Sequence, residues 1–390
     1  MKVFVVAGEA SGDKLGAALM AGLKAHVPDV TFHGIGGDRM IREGLTSLFP
    51  MDEISIMGIT EILSQYRHLK RRILETADAV IAAQPDVLIT IDLPEFGLRV
   101  AKQVKARSTI RTVHYVAPTV WAWRPGRARK MAAYIDQVLA LLPFEPPYMQ
   151  AEGMRCDFVG HPVVTDPVAS ADDIVGFRHR HGFGDNPIAL VLPGSRRSEV
   201  SRLLPIFQDV VQMLSAARPD LGFVLPAAPN VADTIAAAVK DWSVKPILLH
   251  TASDTGRKEK TAAFFAADVA IAASGTVSLE LAAANTPMVV AYDMNWLSRQ
   301  IIGRMLRVDT VTLVNLVSDT RAVPEFIGKA CEPAAIAKAV GDVLDNPDAQ
   351  TDAMALTMAR LGRGGRAPGE RAALAVLEGL GKEKGPGMSA

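Results

Sequence analysis

The sequence predicts an α/β chain built on two doubly wound parallel sheets, and three observations carry the prediction. Short runs rich in β-branched residues alternate with longer stretches of helical period, the pattern of parallel β–α–β units. The alternation restarts around FVGHPVV (158–164), and glycine-bearing turns stand at strand ends in both halves. Two such halves in succession imply two Rossmann-like domains facing a cleft, with ligands bound at the carboxyl ends of the strands.

In the first half the strand candidates are KVFVVA (2–7), VTFHGIG (30–36), DVLITID (86–92), TIRTVHYV (109–116) and QVLALL (137–142). Helical patterns lie between them, as over Asp13–Ala25 and Val100–Ala106. The second half offers IALVLPG (188–194), LGFVLPA (221–227), ILLH (247–250), DVAIAASG (268–275) and PMVVAY (287–292). Its helical patterns cover Glu199–Arg218, Asn230–Lys240, Lys258–Ala266 and Thr276–Ala284. LGRGGRAPGE (361–370) reads as a connector to a closing helix over Arg371–Leu380. The expected domains are therefore 1–165, 166–350, and a connector with closing helix over 351–390.

A chain of 390 residues is long enough for two cores. Lys and Arg total 42, as do Asp and Glu, so the net charge is zero. That excludes a protein held on nucleic acid by bulk charge, which needs many Lys/Arg–phosphate contacts. Cys156 and Cys331 stand alone, with no metal-ligand spacing, which fits a reducing compartment. No basic leader precedes the first strand, and no stretch approaches the roughly 18 uninterrupted apolar residues of a membrane span. A soluble or peripheral chain is expected.

GEASGDK (8–14) joins the first strand to the first helical pattern. It has neither the GxGxxG spacing of a dinucleotide turn nor the spacing of a Walker loop. Glu9 and Asp13 make it a poor phosphate cradle, and read plainly Ser11 or Asp13 caps the helix. Phosphate chemistry is expected in the second half. In VLPGSRR (191–197) Gly194 lets a ligand approach the backbone, Ser195 and the helix-start amides can hold an anion, and Arg196 or Arg197 can grip phosphate. The plainer alternative leaves both arginines solvated. Ser274-Gly275-Thr276 repeats this logic, with Glu280 one helical turn on to accept ribose hydroxyls or simply to face solvent.

Asp92, at a strand's carboxyl end in DLPEF (92–96), is the candidate general base. Glu95 either orients a hydroxyl or caps the next helix. No two aspartates are separated by a single residue, so the DxD metal motif of many sugar-nucleotide enzymes is absent and no metal is expected. HYVAPTVWAWRPGRARKM (114–131) joins Trp121 and Trp123 to Arg124, Arg127, Arg129 and Lys130, which reads as buried rings beside exposed charge. A structural role is the default for His114. MGITEILSQYRHLKRRILE (57–75) and WLSRQIIGRMLR (296–307) are basic and amphipathic: they can pack on a core and also suit an anionic membrane surface. In the first, Arg67, Lys70, Arg71 and Arg72 fall around the polar side.

These motifs, taken in order, resemble the lipid-A-disaccharide synthase family over nearly the whole chain. GEASGD (8–13), MGITEIL (57–63), DLPEF (92–96), HYVAPTVWAWR (114–124), LPFE (142–145), FVGHP (158–162), LPGSR (192–196), SGT with LE (274–280), PMVVAY (287–292) and VPEF (323–326) carry the likeness. Leu93, Glu95 and Gly97 stand where that family usually shows Ala, Asp and Asn, and Val314 where Pro is usual, while Asn315 matches. The resemblance implies an inverting glycosyltransferase of the two-Rossmann GT-B type, without cofactor. It would move diacylglucosamine from UDP-diacylglucosamine onto diacylglucosamine 1-phosphate, forming a β-1,6 disaccharide and UDP. Asp92 would deprotonate the acceptor hydroxyl. Gly194, Ser195, Arg196, Ser274, Gly275, Thr276, Glu280 and Asn315 would hold the donor. Gly8, Glu9, Ser11, Gly12, Asp13, Glu95, Trp123 and Arg124 would form the acceptor side. The resemblance also implies a cytoplasmic enzyme held peripherally on the inner membrane, with oligomers possible and no nucleic-acid partner. A UDP-N-acetylglucosamine 2-epimerase on the same fold is the alternative.

Overall fold

The computed structural model describes residues 1–55, 66–122, 126–293 and 308–381. The chain divides into two compact units: Met1–Thr165 with the segment from Gly364 onward, and Asp166–Arg363.

Seven strands form the first unit's sheet: β1 (Lys2–Ala7), β2 (Thr31–Ile35), β3 (Thr46–Ser47), β4 (Val87–Ile91), β5 (Arg111–Tyr115), β6 (Gln137–Ala140) and β7 (Arg155–Phe158). All pairings are parallel, in the order β3-β2-β1-β4-β5-β6-β7. Helices cover both faces, which is why β1 and β4 are mostly apolar; every residue of β4 is buried. On one face Leu15, Leu19 and Leu23 of the helix Ala10–His26 pack with Val3, Val5 and Ile89. On the other, Ile73, Ala77 and Val80 of the helix Tyr66–Ala83 and Val100 and Val104 of the helix Pro94–Lys105 bury against Phe4, Val6 and Leu88.

The second unit's sheet has six strands: β8 (Ile188–Leu192), β9 (Gly222–Ala227), β10 (Ile247–His250), β11 (Val269–Ala273), β12 (Met288–Tyr292) and β13 (Glu325–Ile327). They too are parallel, ordered β10-β9-β8-β11-β12-β13. Phe207, Val210 and Val211 of the helix Arg197–Ala217 and Ile336 and Val340 of the helix Pro333–Asp345 close the core over Val191, Ile271 and Val289.

The stretch expected as a connector over 351–390 is instead divided between the units. The helix Asp348–Arg360 belongs to the second, because its buried Gln350 accepts the Met288 amide at 2.8 Å and donates to the Met288 carbonyl at 3.0 Å. The helix Pro368–Gly379 returns to the first and lies on the helix Ala10–His26. Glycines make that crossing possible: a Cβ on Gly369 would stand 2.5 Å from the Ala18 carbonyl oxygen.

Candidate active site

Each sheet changes winding direction once, between β1 and β4 in the first unit and between β8 and β11 in the second. Ligands in such sheets bind in the crevice beyond the carboxyl ends of the two strands at that point. Four turns leave those ends, and they carry GEASGD, DLPEF, GSR and SGT. Sequence neighbours far apart are brought together by register alone: Ala7 pairs with Ile91, and Leu192 with Ala272.

In the first unit the turn after β4 is strained. Asp92 and Leu93 both have positive φ, 50° and 39°, and so does Val116 (82°) at the end of neighbouring β5. For residues other than glycine such backbone costs of order 1–3 kcal/mol each and clusters at functional positions. The Asp92 amide donates to the Tyr115 carbonyl at 2.9 Å, which ties the two strained turns together. Gly8 is where β1 meets them, and a Cβ there would run into Cδ2 of Leu93. Asp92 is half-buried, and desolvation raises its carboxyl above the ordinary range, only partly opposed by the Leu93 amide. A carboxylate made more basic at a switch-point crevice suits proton abstraction.

The neighbouring acids divide by role. Glu95 is exposed and pairs with Arg99 at 3.0 Å and Arg127 at 3.5 Å. Asp13 is buried and does not cap its own helix. It accepts the amides of Gly37 (2.9 Å), Arg39 (3.0 Å) and Met40 (3.1 Å), pinning the start of the helix Asp38–Arg42. Neither it nor exposed Ser11 caps the helix Ala10–His26, whose N-cap residue is half-buried Glu9. Gly12 is buried in that helix's first turn. Trp123 and Arg124 lie outside the described residues, as do MGITEIL (57–63) and WLSRQIIGRMLR (296–307).

Trp121 is buried edge-on against Phe144, ring centroids 5.1 Å apart. His114 is buried with Nδ1 2.8 Å from Thr90 Oγ1, and burial pushes its pKa down to about 3, so it is a neutral structural side chain. On the helix Tyr66–Ala83, Arg67, Lys70 and Arg71 face outward beside exposed Leu74. Arg72 departs from that set: it turns inward to Glu53 and Glu75 and over the Phe49 ring.

In the second unit Gly194 has φ 104°, and a Cβ would lie 2.6 Å from Glu199 Oε2. The amides expected to await a phosphate are occupied. Glu199 accepts those of Ser195 and Arg196, each at 3.2 Å, and takes the Arg196 guanidinium at 3.0 Å. Asn230 donates to the Ser195 carbonyl at 2.7 Å. With those amides taken, this turn presents the Arg196 side chain, 71% exposed, to solvent. The SGT turn differs: Gly275 and Thr276 are exposed, and nothing lies within 4 Å of a Cβ built on Gly275. Half-buried Ser274 precedes them, and Glu280 pairs with Lys260 at 2.6 Å. Asn315 does not reach out to a ligand. It is buried, donates to Thr310 Oγ1 (3.2 Å) and the Val323 carbonyl (2.9 Å), and accepts the Val323 amide (3.0 Å), so it holds the loop ahead of β13. Among the described residues no three His, Cys, Asp or Glu side chains converge as metal donors.

Sequence reasoning misses Glu199, Asn230 and Val116, which shape these turns. The first follows from capping spacing, since it lies three residues past the N-cap; the others carry no local signal.

Two parallel doubly wound sheets, each with glycine-bearing turns at its switch point, define an α/β protein of the GT-B-like fold. Its solved likenesses include a UDP-N-acetylglucosamine 2-epimerase of Neisseria meningitidis bound to UDP-GlcNAc (TM-score 0.64, 14% identity, 98% of this chain and 100% of that one). The S. aureus MnaA–UDP co-structure is similar at TM-score 0.65 and 12% identity, covering 100% of both chains. At that identity they establish fold alone. The family model for Lipid-A-disaccharide synthetase matches residues 3–375, and this chain belongs to that family. A lipid-A-disaccharide synthase of Ruegeria pomeroyi is 60% identical over 383 residues, 97% of this chain and 96% of the relative. That of Rhodospirillum centenum is 46% identical over 381 residues, 96% and 94% respectively.

Proposed function

We propose that this chain forms the lipid A disaccharide, moving 2,3-diacylglucosamine from UDP to the 6-hydroxyl of 2,3-diacylglucosamine 1-phosphate. The observation that carries the reading is Asp92, strained and desolvated at the first unit's switch point, in a chain of this family. Asp92 takes the proton of the acceptor 6-hydroxyl as that oxygen attacks the donor anomeric carbon. The carbon–oxygen bond to UDP breaks on the opposite face, so configuration inverts and the product linkage is β-1,6. Negative charge develops on the leaving diphosphate. The Arg196 guanidinium and the Ser274-Gly275-Thr276 turn stabilise it electrostatically, without a metal. Glu280 receives the ribose hydroxyls. Glu9, Ser11 and Glu95 wall the acceptor, with Gly8 and Gly12 allowing close backbone approach.

The acyl chains of both substrates require work beside a lipid surface. No helix among the described residues is long and apolar enough to cross a membrane. Arg67, Lys70 and Arg71 flank exposed Leu74, and this face meets the anionic inner membrane peripherally from the cytoplasm. Mass spectrometry of the product from UDP-diacylglucosamine plus diacylglucosamine 1-phosphate tests the reading. A disaccharide 1-phosphate is expected. No disaccharide, together with an epimer formed from UDP-GlcNAc alone, would replace it with the epimerase reading.

A further inference from the structure

One buried carboxyl has no part in that chemistry. Glu145 is 3% exposed, in the segment after β6 and just ahead of the helix Pro146–Gln150. One of its oxygens accepts the Trp121 indole N–H at 3.3 Å and the other the Leu142 amide at 3.0 Å. A single carboxyl thus joins the segments that leave the carboxyl ends of β5 and β6. The two bonds need an acceptor on each oxygen, so a neutral amide, with one acceptor oxygen and a donor NH2, could keep only one of them.

What the carboxyl holds leads back to the crevice. The segment fixed by Trp121 begins at Val116, a β-branched residue at φ 82° whose amide donates to the Leu139 carbonyl at 3.0 Å. Such backbone persists only where its surroundings over-determine it. The residue before it, Tyr115, accepts the Asp92 amide. Bonds therefore run without a break in the chain from Glu145 through Trp121 and the Val116 turn to Asp92. Between Val116 and Trp121, Ala117 and Val120 are buried in the core, so the segment has few other ways to rest.

We infer that Glu145 is a positioning residue for the acceptor half-site, locking the Val116–Ala122 segment against the Asp92 turn through the Trp121 indole. The inference rests on the transferase reading above.

Steady-state kinetics of Glu145→Ala, Glu145→Gln and Trp121→Phe, with acceptor and donor varied separately, test it. The acceptor KM should rise about tenfold in Glu145→Ala and Trp121→Phe, with donor KM and calorimetric UDP affinity within twofold of the parent. The Glu145→Ala/Trp121→Phe double variant should be no worse than Glu145→Ala, since Trp121→Phe removes only a bond already lost with the carboxyl. Glu145→Gln, whose single acceptor oxygen can still take the Trp121 N–H, should recover part of the loss. If Glu145→Ala does not fold, Trp121→Phe and Glu145→Gln decide. An acceptor KM within twofold in Trp121→Phe, or acceptor and donor parameters failing together with a fall in melting temperature, overturns the positioning role. Absence of disaccharide from the parent enzyme overturns the transferase reading instead.

Discussion

The Asp92 amide is bonded to the Tyr115 carbonyl, and the residues on both sides of that bond, Asp92 with Leu93 and Val116, are held at positive φ. Two adjacent strands thus end in left-handed backbone at one edge of the sheet, and the acid proposed as base sits on the first of them.

Asp92→Asn should abolish turnover while leaving UDP affinity near that of the parent, because the turns proposed to hold the nucleotide belong to the other unit. Desolvation raises the Asp92 carboxyl, and a base works only when deprotonated. Activity should therefore fall as pH drops through a value above the ordinary carboxylate range. Turnover in the asparagine variant, or an acid limb at the ordinary aspartate value near 4, would remove Asp92 from the role.

Gly8→Ala should lower kcat tenfold or more by driving Leu93 off its position. Leu93→Ala in the same chain should restore much of it, since the clash is with the Leu93 side chain. Equal losses in the single and double variants would show that Gly8 matters for some other reason.

Arg196→Ala should weaken UDP binding about tenfold, roughly 1.4 kcal/mol, as expected for one charge-assisted phosphate contact. With the Ser195 and Arg196 amides already held by Glu199, little else at this turn can compensate. Calorimetric affinity that does not change would assign the diphosphate to the Ser274–Thr276 turn alone.

Glu145 should leave a mark on stability as well as on kinetics. Burial pushes its carboxyl from 4.5 up to about 7. The folded protein holds this proton more tightly than the unfolded chain, so its contribution is most favourable below pH 4.5 and is lost as pH rises to about 7. Relative to the parent, Glu145→Gln should gain on the order of 3 kcal/mol across that window and nothing above it. Urea unfolding of both proteins at a series of pH values reads the difference directly; a gap independent of pH contradicts the assignment.

Replacing Arg67, Lys70 and Arg71 together by glutamine should reduce co-sedimentation with phosphatidylserine-containing vesicles about a hundredfold, at about 1 kcal/mol per basic residue. Raised salt should weaken the parent in the same direction. Binding indifferent to both changes would rule this face out.

Much of the architecture was legible because it depends on short-range pattern. Buried parallel strands are mostly apolar, and the ten strongest runs all became strands. The sequence missed β3, β7 and β13, which are two, four and three residues long and carry polar residues that break the pattern. Four of the motifs fell at switch points because strand-end turns are where glycine and polar residues interrupt apolar runs.

By itself the sequence determined the two α/β units, the family, and the glycine-bearing turns at the strand ends, since periodicity, composition and motif order are local properties. Only the tertiary structure decided what each polar group does. Asp13 reaches amides 24 to 27 residues away, Glu199 fills the anion site that the turn itself suggested, Asn315 folds inward, and the closing helix returns to the first unit. A carboxylate or amide satisfies itself with whatever donors packing brings within about 3 Å, and that proximity is set by strand register and helix packing rather than by neighbours along the chain.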